Sequence, residues 1–88
     1  MFEGFLFMDR ADIYEKLTRV FRDVLDDDVL EITPEMTAND VEDWDSLSHV
    51  RLILSVERIF DIHFSIIELA QFDNVGQLTD MIADKIKT

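Results

Sequence analysis

Apolar side chains recur every three or four residues near the start of this chain. Ile13, Leu17, Val20, Phe21, Val24 and Leu25 fall on one face of a helix with 3.6 residues per turn, predicting a first helix over about 9–26. Asp9 or Asp12 can cap its start, and the charged residues from Arg10 to Arg22 decorate its outer face. Asp26-Asp27-Asp28 sits unfavourably at the negative end of the helix dipole and marks the exit. Residues 27–45 hold no sustained period. They contain Thr33-Pro34 and read as a long loop with Val29, Ile32, Met36 and Val41 as apolar anchors, and a loop of that length inside a small domain tends to be functional. A second helix, rich in Leu, Ile and Val, runs from Ser46 to about Phe60. After the break at Asp61-Ile62-His63-Phe64, Ser65 can cap a short helix to about Phe72 carrying Ile66, Ile67 and Leu69. Asn74 can cap a last helix to about Lys87, with Val75, Leu78, Met81, Ile82 and Ile86 on its apolar face and Lys85 and Lys87 suiting its C-terminal end. Two glycines and one proline leave little punctuation for strands. The predicted fold is all-α, a small four-helix bundle with a long loop between helices 1 and 2 and a short third helix.

Composition narrows what such a bundle can do. A chain of 88 residues is one small domain that buries only about 60–65% of its unfolded surface, too little for a deep enzyme cleft with its own supporting shell. A 48% apolar content with seven Phe and one Trp favours a folded domain over a disordered one. Twenty Asp or Glu against eight Lys or Arg give a formal charge of −12, which argues against nucleic acid and against an anionic membrane surface. Docking to protein partners is favoured instead. The absence of cysteine excludes a disulfide framework, a thiolate metal site and any thiol that is not brought in by an attached group. The opening MFEGFLFM lacks a basic flank and is too short for a membrane span, so no stable insertion and a cytoplasmic address are expected.

Several chemical constellations can be weighed and set aside. An EF-hand beginning at Asp40 needs Gly at its sixth position and Glu at its twelfth, where Asp45 and Arg51 stand. His49 and His63 are not spaced as a metal pair on one helix, and no Ser-His-acid set is apparent, so neither a metal site nor a catalytic residue is assigned.

The informative stretch is Val41-Glu42-Asp43-Trp44-Asp45-Ser46-Leu47-Ser48-His49-Val50. An isolated Asp-Ser pair reads as a helix cap. Together with the acidity, the helix order, the run LILSVERIFDIHFS and the closing QFDNVGQLTDMI, Asp45-Ser46-Leu47 at the start of the second helix resembles the acyl carrier protein family over roughly 9–87. That resemblance implies that Ser46 is the attachment point of 4′-phosphopantetheine, whose thiol holds acyl groups as thioesters. It implies a phosphopantetheinyl transferase and acyl-loading, condensing or acyltransferase enzymes as partners of a carrier, not an enzyme, that works as a monomer. Asp45 and Leu47 complete the motif, and Asp45 would both cap the helix and help the transferase and its metal ion engage the site. A serine at a helix N-terminus lies beside unpaired N–H groups and the positive end of the dipole, a setting that suits a phosphate. The domain would begin near Asp9, leaving 1–8 as an apolar extension that packs on the bundle or as an upstream start, and 9–88 as the carrier-type domain. His49, three residues past Ser46, either lies near the arm's phosphate or is a partly exposed surface histidine. Trp44 packs the loop on the bundle or meets the arm or a partner.

On the second helix, Val50, Ile53, Val56 and Phe60 read as core with Leu52 on its flank. Leu47, Arg51, Leu54 and Arg58 form a second stripe running away from Ser46: a docking surface with two apolar anchors, or marginal core residues beside solvated arginines. Well-known fatty-acid carriers hold several carboxylates along this helix; here Glu57 is its only interior acid. Asp43 and Asp45 still offer negative charge near Ser46, but Arg51 and Arg58 point to partners with acidic contacts and to a specialised lipid, polyketide or related pathway. By the same resemblance, Val50, Ile53 and Leu69 would help to shelter a short acyl chain. An aminoacyl or peptidyl carrier, or an acidic helical adaptor that never carries the arm, are the other readings.

Overall fold

The computed structural model describes residues 9–87. The apolar opening 1–8 lies outside the described residues. Four α-helices, α1 (Arg10–Val24), α2 (Ser46–Phe60), α3 (Ile66–Gln71) and α4 (Val75–Lys87), account for the regular structure, and no strand occurs among the described residues. Each predicted helix is present, and α1 stops at Val24, two residues short of the expected exit.

Local chemistry sets the ends. Asp9 caps α1 by accepting the Asp12 N–H, and the Asp12 carboxylate accepts the Asp9 N–H in return, so the two alternative caps work as a reciprocal box. Ser65 and Glu68 repeat the device at α3. At the other ends, Asp26 (φ 54°) and Asp61 (φ 56°) adopt the left-handed conformation. The next N–H then reaches back to a carbonyl five residues earlier, Asp27 to Arg22 at 2.9 Å and Ile62 to Glu57 at 3.0 Å, closing each helix.

The six apolar residues of the α1 stripe are all buried, and with Leu52, Ile53, Val56 and Phe60 of α2 and Val75, Leu78 and Ile82 of α4 they form one continuous core. Val50 is a correction. It is 55% exposed, whereas Leu52, expected on the flank, is fully buried. The surface of α2 is apolar on so many sides that its period marks a stripe without marking the centre, and packing against α1 puts that centre at Leu52 and Val56. In α3, Ile66 and Ile67 are exposed at 86% and 71%, and only Leu69 leans on the core.

The long loop is tied down from both sides. The Tyr14 hydroxyl of α1 donates to Ile32 O at 2.9 Å, and Arg22 Nε donates to Leu30 O at 2.8 Å. From α4, the N–H groups of Val75 and Gly76 donate to Met36 O and Pro34 O at 3.0 and 2.8 Å, which gives the first-turn donors of that helix partners. A Cβ at Gly76 would stand 3.1 Å from Pro34 O, a contact tight enough that the loop would have to give by a few tenths of an ångström. Of the expected loop anchors, Ile32 is buried and Met36 and Val41 are partly buried, but Val29 is 81% exposed, left outside by the turn that follows α1. Residues Ala38–Asp40 add one tight 3-10 turn capped by Thr37.

Candidate functional site

The chain enters α2 through Trp44 and Asp45. Asp45 is the N-cap; its carboxylate accepts the Ser48 N–H at 2.9 Å, and its carbonyl accepts the His49 N–H at 2.8 Å. The Ser48 N–H bond is the main reason the Asp45 carboxyl is held below its ordinary pKa, and Asp45 therefore stays ionised. Ser46 is the first helical residue and is exposed, with no side-chain hydrogen bond among the described residues. Ser48, two positions on, is half-buried, and its hydroxyl donates to Asp43 O at 2.9 Å. The two serines of the motif thus differ in availability.

Trp44 packs the loop onto the bundle. Its indole is 5% exposed and meets Phe21 edge to face with centroids 5.1 Å apart. Its Nε1–H donates to His49 Nδ1 at 3.1 Å, with the two rings edge to edge and within 19° of one plane, and the Phe72 ring lies near-parallel to the imidazole with centroids 5.5 Å apart. Burial lowers the His49 pKa from its ordinary value. His49 is therefore not a plain surface histidine but the middle of an aromatic cluster joining the loop, α2 and the residue that closes α3. Neither this cluster nor the part of Phe72 in it was legible in the sequence, where Trp44, His49 and Phe72 share no period.

The predicted second stripe is solvent-facing: Leu47 and Leu54 are 70% and 54% exposed, and Arg51, Arg58 and Asp43 are exposed as well. No carboxylate lies within ion-pair distance of Arg51 or Arg58 among the described residues. Between the face of α2 that holds Val50 and the α3 residue Leu69 runs a groove of about 230 Å³, lined by His49, Val50, Ile53, Leu54, Glu57 and Leu69. It contains all of Val50, Ile53 and Leu69, the residues expected to shelter an acyl chain. No cluster of side chains suited to a metal ion is found among the described residues, and none of their helices is long and apolar enough to cross a membrane.

Residues 15–82 match the family model for the phosphopantetheine attachment site. An acyl carrier protein from Coprothermobacter proteolyticus is 33% identical over 92% of this chain and 99% of its own length. The chain belongs to the acyl carrier protein family. Another relative in the family, an acyl carrier protein from Rubrobacter xylanophilus, is 30% identical over 88% of this chain and 95% of its own length. The solution structure of the holo acyl carrier protein from Geobacter metallireducens superposes with a TM-score of 0.80 at 44% identity, covering 84% of this chain and 85% of that one. Acyl carrier proteins are carriers, not enzymes, and their prosthetic group is a covalently attached phosphopantetheine. The start of α2 fits such a group, with an exposed, unengaged hydroxyl in the first turn of a long helix and an apolar groove along the same helix.

Proposed function

We propose that Ser46 carries 4′-phosphopantetheine on its Oγ and that the chain holds acyl intermediates as thioesters on that arm for delivery to partner enzymes. The observation that carries this reading is the contrast within the motif: Ser46 is exposed and unengaged, while Ser48 is half-buried and bound to Asp43 O. A transferase needs a primary hydroxyl it can reach, and Ser46 presents one at a rigid helix start. The attached group supplies the thiol that a cysteine-free chain lacks. Asp45 fixes the first turn through its cap, and with Leu47 it completes the motif on either side of the hydroxyl. The α2–α3 groove has the size and apolar lining for a short acyl chain.

The acyl reading is preferred over an aminoacyl or peptidyl cargo because the relatives are acyl carrier proteins. Leu47 and Leu54 serve as apolar docking anchors, with Asp43, Arg51 and Arg58 as the charges that select the partner. A partner surface bearing carboxylates complements the two unpaired arginines and favours a specialised lipid, polyketide or related biosynthetic pathway. Incubation with coenzyme A, magnesium and a broad-specificity phosphopantetheinyl transferase tests the assignment by intact mass. A gain of one phosphopantetheinyl unit is expected, and an unchanged mass would leave an acidic adaptor as the reading.

A further inference from the structure

His49 offers the α2–α3 groove a feature that its apolar residues cannot. Of the six lining residues only His49 and Glu57 have polar side chains. Glu57 lies about 16 Å along the helix axis from Ser46 at 1.5 Å per residue, and its carboxylate accepts the Phe64 N–H at 2.9 Å. His49 lies only about 4.5 Å along the axis from Ser46 by the same rise. The Trp44 indole can only donate, so His49 Nδ1, 3.1 Å away, must accept and carries no proton. A neutral imidazole then has its proton on Nε2, and the Trp44 hydrogen bond together with the near-parallel Phe72 ring fixes the ring plane. Charged residues on the segments that meet here are Glu42, Asp43, Asp45, Arg51, Glu57, Arg58, Glu68 and Asp73, and none of them is hydrogen-bonded to the imidazole.

We propose that His49, locked by Trp44 as the neutral Nε2–H tautomer, is a positioning residue whose Nε2–H donates to a carbonyl oxygen of the tethered group at the Ser46 end of the groove. The proposal rests on the carrier reading. Two carbonyls share the required chemistry, an amide of the arm and the acyl thioester, and loading separates them.

Intact mass first confirms the arm, and long-range proton–nitrogen NMR of the imidazole is then recorded at pH 7 on the apo, arm-bearing and butyryl-loaded protein. The apo form should show His49 protonated on Nε2 alone. A change in the Nε2 resonance already present with the bare arm assigns the amide, and one that appears only on butyryl loading assigns the thioester. In His49→Leu, the shifts that butyryl loading causes in the Ile53 and Leu54 methyl resonances should fall to about half or less; His49→Gln, which keeps one acceptor and one donor, should retain them. An Nδ1–H tautomer, an Nε2 resonance unmoved in both loaded forms, or equal behaviour of the two variants overturns the proposal. A chain that accepts no arm overturns the carrier reading and the proposed acceptor with it, whereas an armed chain with an unmoved Nε2 overturns the role of His49 alone.

Discussion

Leu52 and Val50 stand two positions apart on α2, one fully buried and the other 55% exposed. Leu52→Ala should cost about 2–5 kcal/mol, the usual range for truncating a buried leucine. Val50→Ala should stay within about 0.5 kcal/mol. Urea unfolding of the two variants checks the ordering, and equal losses would contradict the placement of the core. The sequence pattern put Val50 in the core and Leu52 on its flank, because α2 has apolar residues on most of its circumference and only tertiary packing selects which one faces α1. The α1 stripe carried no such ambiguity: charged residues separate its six apolar positions, and all six are buried. His49 marks another limit of pattern reading, since its partners Trp44 and Phe72 come from segments joined only in the folded state. Its lowered pKa has a consequence for stability. Well above the ordinary imidazole pKa of about 6.5 the ring is neutral in both states. As pH falls from there the unfolded chain takes up the proton first, so folded-state stability declines until the lower folded pKa is passed. Relief of net negative charge acts in the opposite direction over the same range, so the comparison must be between variants. The urea midpoint of the wild type should fall relative to that of His49→Gln between about pH 7.5 and 5.5, and parallel curves would contradict the half-buried, neutral histidine.

At the scale of elements, α2 combines three tasks: its first residue presents the proposed attachment hydroxyl, one face lines the groove and the adjoining one presents Leu47, Arg51 and Arg58 to solvent, with Leu54 on the border of the two. The exposed stripe was legible because it follows helix spacing, whereas the motif was legible through family resemblance. The groove was anticipated through family resemblance at Val50, Ile53 and Leu69, while Glu57 and His49 joined it only through the position of α3. Among the described residues Arg51 and Arg58 have no ion-pair partner, so their charge is available to a docking enzyme. The double substitution Arg51→Glu with Arg58→Glu should lower kcat/KM for acyl transfer by the cognate partner about tenfold or more, with the fold retained by circular dichroism. An improvement in that transfer would contradict an acidic docking partner.

For the whole molecule, the formal charge of −12 works against compaction. The bundle offsets it locally: Arg10 pairs with Asp80 between α1 and α4, and Lys85 pairs with Glu68 between α4 and α3 at 2.9 Å. Surface pairs of this kind contribute little. Screening should therefore stabilise the fold, and the melting temperature is expected to rise when sodium chloride or magnesium chloride is added to a low-salt buffer. A flat or falling trend would contradict self-repulsion as the limiting term. The central claim is narrower than any of these, namely that the hydroxyl at the first position of α2, and not its neighbour at the third, receives the arm. Peptide-level mass spectrometry of the transferase-treated protein, with Ser46→Ala and Ser48→Ala in parallel, tests it most directly. One phosphopantetheinyl unit should be found on Ser46 in the wild type and in Ser48→Ala and be missing from Ser46→Ala; a unit on Ser48, or one that persists in Ser46→Ala, would contradict the account.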